Sequence, residues 1–244
     1  MAGLRIATLA VVVALVLGLV PGVALAQNTQ RMINLTFKGY FSTLSGTNSA
    51  GTVFARGNAP MFGGAFNVYN PQNGIGWGAE YMTGGLSNGE GIWLNLQSSS
   101  TRIMSGWVNY NVLRGQPTPV MLNLSAGFEK HVWDVRNSVG SREIFRAQGL
   151  RLGAAVTVPV NNQWAVTGRI AYVPSAGTSL ENPGGTNTAS GSMVDYSATV
   201  SYSSDSWRIG AGYRWAQARA GNLTGCTDCR FDWSGLYLQA TWRR

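Results

Sequence analysis

Between residues 192 and 215 the chain carries two opposed alternations separated by one tight turn. In the first half Val194, Tyr196, Ala198, Val200 and Tyr202 alternate with Asp195, Ser197, Thr199 and Ser201, the two-residue period of a strand with one apolar face. Beyond Ser204-Asp205 the apolar role passes to Trp207, Ile209, Ala211, Tyr213 and Trp215, opposite Arg208, Gly210, Gly212 and Arg214. A two-residue turn between Ser203 and Ser206 puts both apolar faces on the same side of a hairpin, and its register sets Asp195 directly opposite Arg214.

The solvent for that apolar face follows from composition. Charged residues make up 11% of the chain and hydrophobic residues 45%, too little charge to coat the exterior of a soluble barrel. Aromatic residues gather toward strand ends, as they do where a wall crosses a lipid–water interface. The apolar face is therefore expected to meet lipid, with Val200 outward and Thr199 inward.

At the start of the chain, Arg5, the apolar run 6–20, Pro21-Gly22 and Ala24-Leu25-Ala26 form a secretory pattern of basic head, apolar middle and small-x-small cleavage site. Cleavage after Ala26 leaves 27–244 as one barrel domain. No later run reaches the ~18 apolar residues of a spanning helix, and lipid forbids open sheet edges, so short amphipathic strands must close on themselves.

In chain order, strands are expected at 33–41, 51–56, 61–70, 75–82, 92–97, 101–113, 120–131, 150–158, 164–172, 192–203, 207–215 and 236–242. That is an all-β, transmembrane, antiparallel up-and-down barrel of twelve strands, or of ten or eight if the weak early strands merge. Ser87-Asn88-Gly89 and Ser98-Ser99-Ser100 read as turns, and 133–145, 174–190 and 218–229 as long loops. With both termini periplasmic, those loops all fall on the outer side. Trp93 and Trp107 lie on the polar faces of their strands and are expected in the lumen.

The signal sequence, alternating strands, aromatic strand ends and amphipathic C-terminal strand (Leu236, Leu238, Ala240, Trp242) resemble the bacterial outer-membrane β-barrel proteins as a class. The resemblance covers essentially all of 31–244 and implies an outer-membrane location, contact with outer-membrane lipid and handling by the barrel assembly machinery. Many members end on an aromatic residue, whereas here Trp242 is followed by Arg243-Arg244.

Chemistry-bearing residues are few. His131 is the sole histidine and shares a strand face with Glu129 and Ser125, but Ser125 lies roughly 20 Å away at ~3.3 Å per residue, outside hydrogen-bond reach. The paired aspartates and histidine of omptin-type barrel proteases do not stand out. Glu129/His131 is thus the one candidate acid–base pair, and no enzymatic activity is expected. Cys226-Thr227-Asp228-Cys229 are too few ligands for zinc, and in an exported chain Cys226 and Cys229 are expected to form an intraloop disulfide. Gly210 and Gly212 fail the nucleotide-loop pattern, and the scattered basic residues argue against nucleic acid. No cofactor or metal is called for.

Strand parity sends Lys38, Arg151, Arg169, Arg208 and Arg214 into the lumen with Glu80, Glu129 and Asp195. A cationic excess of that kind predicts a porin-like channel for passive diffusion of small solutes with slight anion preference. Two alternatives remain open on the sequence: a structural or adhesion barrel acting through outer loops, and an enzyme on envelope lipid.

Overall fold

The computed structural model of the protein describes residues 31–91, 96–114, 119–137, 141–223 and 227–244. The expected signal sequence, Trp93 and Cys226 lie outside these residues.

Among the described residues twelve strand segments follow one another: β1 (Met32–Thr47), β2 (Val53–Asn58), β3 (Met61–Asn70), β4 (Ile75–Gly84), β5 (Ser87–Gly91), β6 (Leu96–Asn111), β7 (Met121–Asn137), β8 (Arg142–Pro159), β9 (Trp164–Asn182), β10 (Gly185–Ser203), β11 (Trp207–Ala220) and β12 (Cys229–Arg243). They make ten staves, not the expected twelve. β3 pairs with the first half of β1 (Met32↔Tyr69) and β2 with the second half (Thr43↔Asn58) in one register that holds as far as Gly46↔Ala55, so β2 and β3 are a single stave interrupted at Ala59-Pro60. Pro60 has no amide hydrogen to give a ladder. Ser42 spans the break instead, donating its hydroxyl to the Ala59 carbonyl at 2.6 Å while its own carbonyl accepts the Ala59 amide at 2.7 Å.

β4 and β5 likewise form one stave, since β4 pairs with β3 and β5 with β2. Ser87-Asn88-Gly89 is strand, and so are the three serines at 98–100, which lie inside β6. The ring runs β1, β2/β3, β4/β5, β6 and then β7 to β12 in order, and β12 closes it against β1 through Asn34↔Arg243 to Thr47↔Arg230. An even number of antiparallel strands, with the start of β1 and the end of β12 paired at one rim (Asn34↔Arg243), matches the bacterial single-chain pattern, in which that rim is periplasmic.

The lower wall is inside out. Phe37, Leu124, Leu150, Ile170, Val200, Ile209 and Leu238 are exposed, while Thr199 and Ser201 are buried on the inner side. Aromatic residues border the band below, where Trp164 meets Tyr202 at 5.2 Å, and above, where Tyr196 stacks on Trp215 at 5.2 Å. The lipid-facing assignment of the apolar face holds throughout this band.

Above it the pattern inverts. In β11 the apolar residues change from the outward Tyr213 and Trp215 to the inward Ala216, Ala218 and Ala220. In β12 they change from outward Leu236 and Leu238 to inward Phe231 and Trp233, in β7 from Phe128 to Trp133 and Val135, and in β8 from Leu150 to Phe145 and Ala147. A wall leaving lipid for water must bury its apolar side chains against each other, and the change of phase marks where it does so.

Strands therefore continue where long loops were expected. Trp133–Phe145 is a β7–β8 hairpin with Trp133 opposite Phe145, and 174–190 is largely the β9–β10 hairpin, joined by Pro183-Gly184. Strand β11 runs to Ala220, shortening the expected 218–229 loop. Register irregularities between Gln148 and Leu152 and between Gly191 and Met193 leave Pro174 and Ser175 unpaired at the transition. A bulge accommodates a proline there and turns the inward phase of β9 from odd to even positions.

Candidate functional site: a lumen closed above a blind vestibule

All eight charged residues expected in the lumen line it or its charged layer. Lys38 bonds Glu80, and Glu80 also accepts from Arg214 Nη1 at 3.1 Å. Arg214 in turn grips Asp195 through Nε at 3.0 Å and through Nη2. The guanidinium thus ties β11 to β10 next door and to β4 across the lumen, the forked geometry that an arginine supplies and a lysine does not.

The register differs from the expectation. The hairpin turns on Asp205-Ser206 between Ser204 and Trp207, so Arg214 stands opposite Ser197, and Asp195 opposite Ala216. A slip of two positions preserves which face each side chain occupies. The Asp195–Arg214 ion pair consequently survives as a diagonal rather than a direct one. Arg169, on the neighbouring β9, lies over the Trp107 ring at 5.5 Å, and Arg151 over the same ring at 5.7 Å. Trp107 is in the lumen, as its strand face implied.

A second cluster is carried by β7 and β8. Glu129 Oε1 is 2.7 Å from His131 Nε2, and its Oε2 is 2.9 Å from Arg151 Nε. The Arg151 contact is a charge contact rather than an aligned hydrogen bond, since Nε and Nη1 have no hydrogen-bond partner, and neither has His131 Nδ1. His131 is 1% exposed, its ring 4.5 Å from Trp233 and 5.9 Å from Trp133. Ser125 lines a separate, lower cavity, so the two do not form a catalytic pair.

The residues that decide the character of the lumen lie in an expected loop, Trp133 and Phe145, or outside the expected strands, Phe231 and Trp233. Trp133 and Phe145 on the β7–β8 hairpin meet Phe231 and Trp233 on β12: Trp133–Phe231 at 5.8 Å and 16° between planes, Trp133–Trp233 at 5.5 Å, Phe145–Phe231 at 4.1 Å. Leu44, Met61, Met82 and Ile103 complete this layer. β7 and β12 are five staves apart in either direction around a ten-stave ring, that is, diametrically opposite. Among the described residues, rings touching across the diameter fill the lumen at that level.

Beneath the plug and the ionic layer, a cavity of about 320 Å³ reaches from the periplasmic strand ends (Asn34, Arg208, Thr241) up to Tyr40 and Met82. A smaller space of about 210 Å³, lined by Asn123, Ser125 and Arg151, adjoins it around Trp107 and Arg169. Tyr40 Oη donates to the Arg214 carbonyl at 2.9 Å, and Thr199 bonds Tyr237, fixing the roof.

At the outer end Cys229 is disulfide-bonded, and no described cysteine is free. The expected partner, Cys226, lies outside the described residues. Among the described residues no group of three or more His, Cys, Asp or Glu is placed to hold a metal ion.

No protein-family model and no curated protein matches the sequence. Solved structures do. Over 91% of this chain and 98% of its own, the outer membrane protease OmpT from Escherichia coli superimposes with a TM-score of 0.56 at 12% identity. The chain has the fold of the bacterial outer-membrane β-barrels. Ail of Yersinia pestis (TM-score 0.38, 11% identity, 86% of this chain and 98% of that one) and OprG from Pseudomonas aeruginosa (0.39, 11%, 86% and 95%) are more distant. At these identities the likeness concerns the fold. Together with the exposed apolar band, it puts this barrel in the outer membrane.

Proposed function

We propose that this barrel is closed to passive diffusion and works at the cell surface, presenting the extracellular continuation of β7–β12 as a rigid recognition platform. The observation that carries the reading is the cross-diameter contact of Trp133 with Phe231 and Trp233. A diffusion pore needs a continuous wet bore, whereas this lumen is filled by an aromatic layer and a paired ionic layer, as barrels near eight strands commonly are. The porin-like role and the slight anion preference expected from the lumen charges are set aside on that ground.

The platform has its own core, Phe145, Ala147, Val173, Ala176, Met193, Ala216, Ala218 and Phe231, and an outer face of hydroxyls and charge. A strand extension with a packed core holds its surface in one shape, and binding surfaces are best placed on such scaffolds. The Glu129–His131 pair, sealed against Trp233, has the setting of a structural link between the ionic and aromatic layers.

The test is adhesion of producing cells to other cells and surfaces, with residues 178–189 of the hairpin replaced by a short Gly-Ser turn. The variant is expected to assemble and to lose adhesion. Adhesion unchanged in an assembled variant overturns the proposal.

A further inference from the structure

The lumen charges do not balance. Three of its five cations have carboxylate partners: Lys38 with Glu80, Arg151 with Glu129, and Arg214 with Asp195. Among the described residues Arg169 and Arg208 have none, Arg169 lying on Trp107 and Arg208 donating from Nε to Ser203 Oγ at 3.1 Å. Both line the same 320 Å³ cavity. Arg208, at its mouth, is also under the repulsive influence of Arg243, whose Nε is buried without a partner. Unmatched cations in a protein-walled space are costly unless an anion joins them.

At its inner end the wall also holds Lys38, Asp195 and Arg214, whose charges are paired within the ionic layer, and toward the mouth it is mostly neutral and polar. Asn34, Thr36, Thr167, Ser201, Gln239 and Thr241 all face the cavity. Two hydroxyl pairs, Thr36–Thr241 at 2.9 Å and Thr157–Thr167 at 3.0 Å, each use one hydroxyl hydrogen and leave the other to donate inward. A volume near 300 Å³ is at the lower end of those that enclose small ligands.

We infer that this vestibule is a binding site, open to the periplasm, for a small polyhydroxylated anion of the sugar-phosphate or sugar-acid class. Arg208 at the rim attracts the anion and Arg169 neutralises it further in, over the Trp107 ring. Amides and hydroxyls of β1, β9, β10 and β12 meet the ligand hydroxyls. The site lies below the closed layer, at the opposite end from the surface platform, and does not rest on the surface function. Its closed roof makes it a receptor for a ligand rather than a passage.

The probes are glucose 6-phosphate, gluconate, inorganic phosphate and glucose, added to the purified full-length barrel in detergent and followed by melting temperature and calorimetry. Saturable binding of glucose 6-phosphate or gluconate is expected, with glucose inert and inorganic phosphate weaker by roughly tenfold or more, since it lacks the hydroxyl contacts. Arg169→Gln and, separately, Arg208→Gln are each expected to lower that affinity by roughly tenfold, the effect of losing one charge-assisted contact. Arg208→Gln, at the rim, keeps the question answerable if Arg169→Gln does not fold. Absence of saturable binding, affinity for inorganic phosphate equal to that for the sugar anions, or binding untouched by the arginine changes overturns the inference.

Discussion

Trp133 and Phe231 stack with ring centres 5.8 Å apart, although the strands that carry them, β7 and β12, stand on opposite sides of the ring. Barrel walls reach each other this way only by filling the lumen between them. The stack lies in the zone where the strands change from lipid-facing to core-facing apolar residues, so one layer both fills the lumen and founds the part of the barrel beyond the apolar band.

The bilayer assignment makes Val200 and Thr199 a matched pair. Val200 is half exposed in the apolar band, and Thr199 lines the vestibule. Arg at the bilayer midplane costs ~2–4 kcal/mol in such barrels, so Val200→Arg is expected to reduce the heat-modifiable, assembled fraction on electrophoresis. Thr199→Arg, with the cavity to extend into, is expected to assemble better. Equal yields from the two would undo the inside-out assignment.

Arg214 holds two carboxylates from two different staves. Arg214→Ala leaves Glu80 with Lys38 alone and, among the described residues, Asp195 with no ion-pair partner. Breaking a buried pair from one side costs about 3–5 kcal/mol, so a clear fall in melting temperature is expected. Arg214→Lys keeps the charge but not the fork and should recover part of the loss. A melting temperature unchanged in Arg214→Ala would mean that the ionic layer does not brace the barrel.

Above the membrane, Asp134 receives Arg142 through two bonds, Nε to Oδ1 at 2.9 Å and Nη2 to Oδ2 at 2.7 Å. That contact holds the Asp134 carboxyl below its ordinary value. A carboxyl with a depressed folded-state pKa contributes stability that is fully present above its unfolded value of about 3.9 and fades as pH falls through the folded one. Asp134→Asn should therefore melt below the wild type at pH 7, with the difference closing toward the acid end. A difference constant across that range would assign the effect to something other than the ion pair.

The composition and two-residue alternation of 192–215 were enough to indicate barrel, orientation and lumen side, because a period of two and a choice of solvent leave few alternatives. Strand ends were not legible for the same reason. Residues 174–190 lack an apolar outer face because water lies on that side, and their Ser, Thr, Gly and Asn content reads as loop. The usable signal was the change of phase, Trp215 outward and then Ala216, Ala218 and Ala220 inward, repeated around Phe231 and Trp233. Contacts such as Trp133 with Phe231 join positions about a hundred residues apart, and single-strand patterns carry nothing about them. The Asp195–Arg214 pair was found on the right face in the wrong register, because the turn residues Ser203 to Ser206 suit either placement.

Cys229 provides a covalent check on the outer end. Thiol labelling of denatured, non-reduced protein isolated from envelopes is expected to find no free cysteine. Full labelling of both cysteines would contradict the disulfide.

Planar-bilayer current is the most direct test of the closed lumen. The wild-type barrel is expected to insert without stepwise conductance, and Trp133→Ala/Phe231→Ala/Trp233→Ala, if it assembles, is expected to open toward the vestibule and pass current. Reproducible ohmic steps from the wild type, at amplitudes unchanged in the triple variant, would contradict closure by the aromatic layer.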